Sequence, residues 1–283
     1  MNLSLSERSV VIERQGVSLF TRVTGQGKPL MLLHGFSGSS ESWGEVTREL
    51  STGSLVIRPD LIGHGRSTAP PDPARYTMEH AAEDIIAILD SLEIHTVSLH
   101  GYSMGGRLAL YTSIRYPNRI ISLSLESASP GLRSADERKT RQASDNALAH
   151  RIIAAGLEAF VHEWEQIPLF ATQSGLSPHV LEKQRQLRMA NNPEGLAGSL
   201  RGMGTGIQPN LWPRLHELQI PALLLTGALD AKFTDIAKQM AGLLPNAQHH
   251  VVPHCGHSIY LERPEIWVTA VRAFISGQES HEL

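Results

Sequence analysis

The chain has 283 residues, of which 41% are hydrophobic and 19% are charged, close to ordinary globular usage. Its formal net charge of -3 provides no broad basic surface, which argues against binding to nucleic acid or to anionic membranes. No apolar run approaches the roughly 18 residues that a membrane-spanning helix needs. The only cysteine, Cys255, allows no intramolecular disulfide, and the first residues lack the apolar stretch of a secretory signal, so we expect a cytoplasmic protein.

Short apolar runs that end near Gly or Asp recur along the chain and are typical of buried parallel strands, which need apolar residues on both faces. These runs cover residues 29–33, 54–57, 96–99, 120–125, 221–225 and 249–252. Helical patterns lie between them, for example over residues 77–92, where apolar residues recur at spacings of three and four. The alternation of strand and helix predicts a mostly parallel, doubly wound α/β sheet.

The alternation stops between residues 134 and 209, where no strand-like run occurs and the pattern indicates several helices. Gly156, Pro168, Pro178 and Pro193 separate these helices. We therefore predict a core formed by residues 1–133 and 210–283, with residues 134–209 inserted as a helical cap after the sixth core strand.

A Gly-Tyr-Ser-Met-Gly sequence at residues 101–105 follows the run at 96–99 and precedes a helix-like pattern. In this context a G-x-S-x-G motif forms a sharp, strained turn that exposes the serine hydroxyl, and the glycines make room for it. The motif and its placement predict that Ser103 is a nucleophile or base, and that the chain has an α/β-hydrolase fold.

A serine hydroxyl needs an adjacent histidine, which is itself oriented by a carboxylate. In α/β hydrolases the chain order is serine, acid, histidine. Asp230 follows the run at 221–225 and His257 follows the run at 249–252, so both are expected at the carboxyl ends of strands, where such sheets place their active sites. Glu126, at the end of another strand, is an alternative acid. We favour Asp230 because its strand, glycine and aspartate arrangement matches the usual acid loop.

The expected oxyanion donors are the backbone N–H groups of Met104 and of Phe36, which lies in the loop after the first apolar run. The neighbouring His34 is expected to brace that loop rather than to react.

Two further patterns are discounted. His254, Cys255 and His257 lie close together but lack a recognised zinc spacing, so we predict neither a metal ion nor a cofactor. The glycine-rich residues 202–206 do not follow a strand, and we interpret them as the exit from the cap.

Arg107 lies four residues after Ser103, one turn along the predicted helix and on the same face. A guanidinium under a cap is unfavourable unless an anion pairs with it. A salt bridge to Asp or Glu would satisfy it, but we favour a substrate carboxylate.

These residues resemble the 2-succinyl-6-hydroxy-2,4-cyclohexadiene-1-carboxylate synthase family of the menaquinone pathway. The resemblance extends over nearly the whole chain and is most specific in the cap. It is carried by L-H-G-F-S-G at 33–38, G-Y-S-M-G-G-R at 101–107, P-G-L at 130–132, D-E-R at 136–138, W-E-Q-I-P-L-F at 164–170, R-M-A-N-N at 188–192 and D-A-K-F at 230–233.

The resemblance implies a small tricarboxylate substrate whose carboxylates are bound by arginines through bidentate hydrogen bonds. The implied substrate-binding residues are Arg107, Arg141, Arg188, Tyr102, Trp164 and Lys232. The implied reaction is an elimination, in which the Ser103–His257 pair removes the proton next to the succinyl ketone and pyruvate leaves.

Two alternatives remain open. A carboxylesterase or carbon–carbon bond hydrolase would use the same triad, and its ester cleavage would survive Arg107→Ala. A ligand sensor that retains the fold would show slow or absent turnover with every substrate and a ligand-dependent surface for a partner. The sequence does not decide between a monomer and a homo-oligomer.

Overall fold

The computed structural model describes residues 7–277, and within that range the chain forms one eight-stranded sheet. The strands are β1 (Glu7–Arg14), β2 (Val17–Thr24), β3 (Lys28–Leu33), β4 (Ser54–Pro59), β5 (Val97–Tyr102), β6 (Ile120–Glu126), β7 (Ala222–Gly227) and β8 (Ala247–Val252). Their order in the sheet is β1-β2-β4-β3-β5-β6-β7-β8. All neighbours from β4 to β8 are parallel, whereas β2 is antiparallel to both β1 and β4.

All six predicted runs coincide with β3 to β8, which confirms the mostly parallel sheet. Neither β1 nor β2 is predicted from the sequence. Strand β1 lies at the edge of the sheet and is largely exposed, so it carries charged residues instead of a continuous apolar run. Gln15 and Gly16 connect the two strands with φ values of 48° and 78°, the two positive angles that a tight hairpin turn requires.

Helices cover both faces of the sheet. From residue 7 to residue 277, the α-helices are α1 (Gly44–Leu50), α2 (Met78–Ser91), α3 (Met104–Arg115), α4 (Ala135–Trp164), α5 (Pro178–Met189), α6 (Pro193–Met203), α7 (Ala231–Ala241), α8 (Ile259–Glu262) and α9 (Pro264–Ser276). Ile85, Leu108 and Met240, from α2, α3 and α7, belong to one buried apolar cluster. Val46 and Trp267, from α1 and α9, belong to a second cluster. The two clusters give the layered arrangement of a doubly wound sheet.

Helices α4, α5 and α6 lie between β6 and β7, in the region where the sequence predicts a cap. Gly156 breaks α4 with φ 83° and ψ 170°, and Pro168, Pro178 and Pro193 stand in the first turns of a 3₁₀ helix (Pro168–Gly175), α5 and α6. Residues of α4 and α6 form a separate apolar cluster. The division at residues 134 and 209 into core and cap stays a prediction. From residue 7 to residue 277, no helix has both the length and the apolar character needed to cross a membrane.

Candidate active site

Ser103 occupies the turn between β5 and α3 with φ 51° and ψ −107°, a backbone conformation that residues other than glycine rarely adopt. The flanking glycines allow this turn to pack against its neighbours. A Cβ atom on Gly105 would lie 2.2 Å from the carbonyl oxygen of Leu33, and one on Gly101 would lie 2.3 Å from the oxygen of Gly105. The turn therefore holds the serine side chain at the carboxyl edge of the sheet, where it lines a cavity.

His257 bridges the serine and the aspartate. Its Nε2 atom lies 3.1 Å from Oγ of Ser103, and its Nδ1 atom lies 2.6 Å from Oδ2 of Asp230. His257 is 1% exposed, and the Phe233 ring packs edge-on against the imidazole at 4.7 Å. Because Nδ1–H donates to the carboxylate, Nε2 carries no proton in the neutral imidazole and can accept the proton of the serine hydroxyl.

Of the two candidate acids, Asp230 is the one in contact with His257. Asp230 caps the N-terminus of α7, and its Oδ1 atom accepts the Phe233 N–H at 3.3 Å, which fixes the carboxylate. The Glu126 carboxylate instead accepts the backbone N–H of Tyr260 at 3.1 Å and the indole N–H of Trp267 at 2.7 Å.

Phe36 and Met104 line the same cavity, and neither backbone N–H donates a hydrogen bond to any residue from 7 to 277. The Met104 N–H is free because the first turn of a helix leaves its donors unpaired. His34 is fully buried, accepts the Leu61 N–H at 3.0 Å and has Nδ1 2.8 Å from the carbonyl oxygen of Gly35, so it braces the loop. Burial lowers the pKa of His34 to about 4, which keeps it neutral near pH 7.

A cavity of about 870 Å³ lies at the carboxyl edge of the sheet, next to α4 and α6. It brings together most of the residues predicted from the sequence: Ser103, His257, Phe36, Met104, Tyr102, Arg107, Arg141, Trp164 and Lys232. A larger groove of about 1530 Å³ lies at the opposite, amino ends of the strands and contains none of these residues. The smaller cavity is therefore the candidate active site.

Two arginines line this cavity. Nη1 of Arg107 donates to the carbonyl oxygen of Met203 at 2.7 Å and to Oε1 of Gln208 at 3.2 Å. Nε of Arg141 donates to Oδ1 of Asp145 at 2.7 Å. Burial, and then the charge of Arg141, lower the pKa of Arg107 to about 10, so the guanidinium stays protonated at neutral pH. The cavity thus contains two guanidinium groups besides the Ser103–His257 pair, and the carboxylates of Asp136 and Glu137 also line it.

Arg188 does not line this cavity. It lies at a smaller neighbouring cavity of about 30 Å³, where Nη1 bonds to Oε1 of Glu165 at 3.0 Å. Its guanidinium carbon lies 5.7 Å from the ring centre of Phe170, and Phe170 and Trp164 line both cavities. The structure therefore separates Arg188 from Arg107 by aromatic side chains, and its partner in this structure is Glu165.

Tyr102 contacts the histidine loop through a hydrogen-bond network that the sequence does not reveal. Its hydroxyl lies 2.6 Å from Oγ of Ser258, which also accepts Nε2 of Gln173 at 3.1 Å. Burial raises the pKa of Tyr102 well above its usual value, so the phenol stays protonated. The Tyr102 ring centre is 5.4 Å from that of His257, so the hydrogen-bonded Tyr102 ring packs against the imidazole.

Lys232 lies at the mouth of the cavity, exposed, with Nζ 5.7 Å from the ring centre of Phe233. Gln208 and Asp145, which hold the two cavity arginines, are not anticipated from the sequence. Gln208 lies 101 positions from Arg107, but Asp145 lies four residues after Arg141 on α4, a spacing typical of helical ion pairs that could have indicated it. Across residues 7–277, no group of three or more His, Cys, Asp or Glu side chains is arranged to hold a metal ion.

The family model of the α/β-hydrolase fold matches residues 28–264, so fold and site define an α/β hydrolase with a serine, histidine and aspartate constellation. A Bacillus subtilis protein, provisionally named 2-succinyl-6-hydroxy-2,4-cyclohexadiene-1-carboxylate synthase, is 42% identical over 88% of this chain and 90% of its own length. A Salmonella agona protein with the same name is 34% identical over 83% of this chain and 88% of its own. The chain belongs to the 2-succinyl-6-hydroxy-2,4-cyclohexadiene-1-carboxylate synthase family.

Solved structures show the same architecture. MenH from S. aureus superposes with a TM-score of 0.87 and is 34% identical, covering 96% of this chain and 98% of that protein. A thermophilic esterase from Thermogutta terrifontis, with malate bound, superposes with a TM-score of 0.85 and is 30% identical, covering 96% and 99%.

Proposed function

We propose that this protein is a 2-succinyl-6-hydroxy-2,4-cyclohexadiene-1-carboxylate synthase, which eliminates pyruvate from 2-succinyl-5-enolpyruvyl-6-hydroxy-3-cyclohexene-1-carboxylate in menaquinone biosynthesis. The observation that carries the proposal is one cavity in which a hydrogen-bonded Ser103–His257 pair lies beside Arg107 and Arg141. A base next to two cationic donors suits proton removal from a small substrate with several carboxylates. The names of the family members support the same reaction.

In the proposed mechanism, the Ser103–His257 pair removes the proton on the carbon next to the succinyl ketone. The electron pair of the broken C–H bond forms an enolate, whose oxygen is stabilised by the N–H groups of Phe36 and Met104 and by the N-terminus of α3. The electron pair then passes through the ring double bond, the C–O bond to the enolpyruvyl group breaks, and the leaving group gains a proton to become pyruvate. Asp230 orients His257 and stabilises its charged form.

The substrate carboxylates are assigned to arginines. Arg107 and Arg141 line the cavity and bind two of them, while Tyr102 and Trp164 shape its wall and Lys232 adds a cation at the mouth. Arg188 binds the third carboxylate by exchanging Glu165 for the substrate, since Arg188 and Glu165 are bonded to each other in this structure.

The test measures pyruvate release by the wild type, Ser103→Ala and Arg107→Ala, with aryl-ester hydrolysis run in parallel. Fast release that is lost in Ser103→Ala and strongly reduced in Arg107→Ala supports the synthase. Release no faster than in buffer contradicts it.

Ester hydrolysis is the second candidate, because the esterase from Thermogutta terrifontis is 30% identical over 96% of this chain. It uses the same serine and oxyanion donors through an acyl-enzyme. Rapid ester cleavage that survives Arg107→Ala, without pyruvate release, would favour it.

We further propose that the enzyme works in the cytoplasm, where a buried free thiol such as that of Cys255 is stable.

A further inference from the structure

The glycine-rich residues 202–206, at the end of α6, contact Arg107 directly and also contact Asp145, the partner of Arg141. The carbonyl oxygen of Met203 accepts Nη1 of Arg107 at 2.7 Å. The N–H of Gly206 donates to Oδ2 of Asp145 at 3.2 Å, and the other oxygen of Asp145 accepts Nε of Arg141. This segment therefore positions the two cations that face the substrate.

The two arginines differ in the charge of their partners. Arg141 is bonded to a carboxylate: its Nε atom lies 2.7 Å from Oδ1 of Asp145, a side chain that is buried. Arg107 is held by two neutral acceptors, the carbonyl oxygen of Met203 and the amide oxygen of Gln208. In the part of the chain that the structure describes, Arg107 forms no ion pair, and its Nε and Nη2 atoms donate no hydrogen bond. Asp145 acts on Arg107 through its charge but makes no contact with it, so Arg107 keeps three N–H donors for an anion.

The amide of Gln208 is oriented by its second contact. Gln208 is 1% exposed, and its Nε2 atom donates to the carbonyl oxygen of Ser129 at 3.1 Å. Because a carbonyl accepts but cannot donate, this contact directs Nε2 toward Ser129 and leaves Oε1 for Arg107 at 3.2 Å. A glutamate of the same size would bring a negative charge against Arg107 instead.

We propose that Gln208 is a specificity-determining positioning residue: it fixes the guanidinium of Arg107 with a neutral acceptor, so that the charge of Arg107 remains available to a substrate carboxylate. The inference rests on the proposed function, in which Arg107 binds such a carboxylate. An internal carboxylate at position 208 would compete with the substrate for the same guanidinium.

The experiment compares Gln208→Glu with Gln208→Met, measuring KM and kcat for pyruvate release from the cyclohexene substrate. Gln208→Glu is expected to raise KM at least about tenfold while kcat falls less than about threefold, because binding is affected more than chemistry. Gln208→Met, which removes the acceptor without adding charge, is expected to raise KM less than about threefold.

Gln239→Glu is the matched control. Oε1 of Gln239 accepts Nη2 of Arg133 at 3.1 Å on the exposed surface, and neither residue lines the cavity. This control places the same new carboxylate beside an arginine away from the substrate, and its KM is expected to equal that of the wild type.

Equal KM increases in Gln208→Glu and Gln208→Met would overturn the inference, because they would indicate lost packing rather than competition for charge. An unchanged KM in a folded Gln208→Glu protein would also overturn it. If Gln208→Glu does not fold, Gln208→Asp and Gln208→Asn provide the same comparison with a shorter side chain, and the inference requires the larger KM in Gln208→Asp.

A wild type without pyruvate release contradicts the proposed function itself. A raised KM in Arg107→Ala beside an unchanged KM in Gln208→Glu contradicts only the role of Gln208.

Discussion

The indole N–H of Trp267 donates a 2.7 Å hydrogen bond to the carboxylate of Glu126, and both side chains have 0% exposure. The other carboxylate oxygen accepts the backbone N–H of Tyr260 at 3.1 Å. Glu126 therefore connects the end of β6 to α8 and α9, next to the loop that carries His257. His100 Nε2 lies 3.6 Å from the oxygen that accepts the indole N–H, beyond hydrogen-bond distance, so this buried carboxylate depends on its two donors to stabilise the fold.

We expect Trp267→Phe to lower the free energy of unfolding by about 1–3 kcal/mol beyond the loss of packing, because one oxygen of Glu126 loses its donor. Urea denaturation measures the change. Trp212→Phe is the control, since the Trp212 indole also donates to an oxygen, that of Gly131 at 2.9 Å, but is only partly buried, so water replaces the lost donor. A loss in Trp212→Phe as large as in Trp267→Phe would contradict the argument.

Asp230→Asn and Glu126→Gln separate the acid that orients His257 from the acid that supports the fold. Asp230→Asn is expected to reduce kcat about 10³- to 10⁴-fold, because an amide favours the wrong imidazole tautomer. Glu126→Gln keeps the 2.6 Å contact between His257 and Asp230, so kcat is expected to fall less than about tenfold. Steady-state pyruvate release measures both, and a reversed order of the two effects would assign the acid to Glu126.

Two buried histidines are expected to make the protein less stable in acid. Burial lowers the pKa of His34 to about 4, and burial together with the charge of His34 lowers the pKa of His64 to about 3. The unfolded chain, with ordinary histidine pKa values near 6.5, binds more protons than the folded chain below that pH. The free energy of unfolding is therefore expected to fall as the pH drops from about 6.5 toward 4, by about 1.4 kcal/mol per pH unit for each histidine.

His64→Asn is expected to remove one histidine's share of this slope in denaturation curves recorded at several pH values. The control is His150→Asn, because His150 is exposed on α4 and its imidazole loses little hydration on folding. Identical slopes for the wild type and His64→Asn would show that His64 contributes nothing to acid sensitivity.

Glu165 is expected to compete with the substrate for Arg188. Its two carboxylate oxygens bond to Arg188 at 3.0 Å and to Arg185 at 3.2 Å. If Arg188 must leave Glu165 to bind the third carboxylate, Glu165→Gln should lower KM about two- to fivefold, in keeping with a partly exposed ion pair. Arg185→Gln is the control, since it removes a partner of Glu165 that lines neither cavity. A KM that rises in Glu165→Gln would indicate that Glu165 holds Arg188 in its binding position.

The strands β3 to β8, the break at Gly156 and the turn at Ser103 could be predicted because each depends on neighbouring residues. A buried parallel strand needs a continuous apolar run, a proline fixes the first turn of a helix, and the turn at Ser103 needs glycines on both sides. The choice of Asp230 over Glu126 follows from the same local reasoning, and the structure shows that Asp230 contacts His257.

The environments of Arg107 and Arg188 depended on tertiary structure. Arg107 and Gln208 are 101 positions apart, and Arg188 and Glu165 are 23 apart, so no local pattern links either pair. Strand β1 escaped prediction because only its pairing with β2 makes a mostly exposed segment a strand. The sequence alone determined the positions of β3 to β8 and the sharp turn at Ser103, since these arise from sterics and burial within short segments. The partners of Arg107 and Arg188 were decided by tertiary packing, which brings residues distant in sequence within hydrogen-bond distance, whereas Arg141 and its partner Asp145 are one helical turn apart on α4.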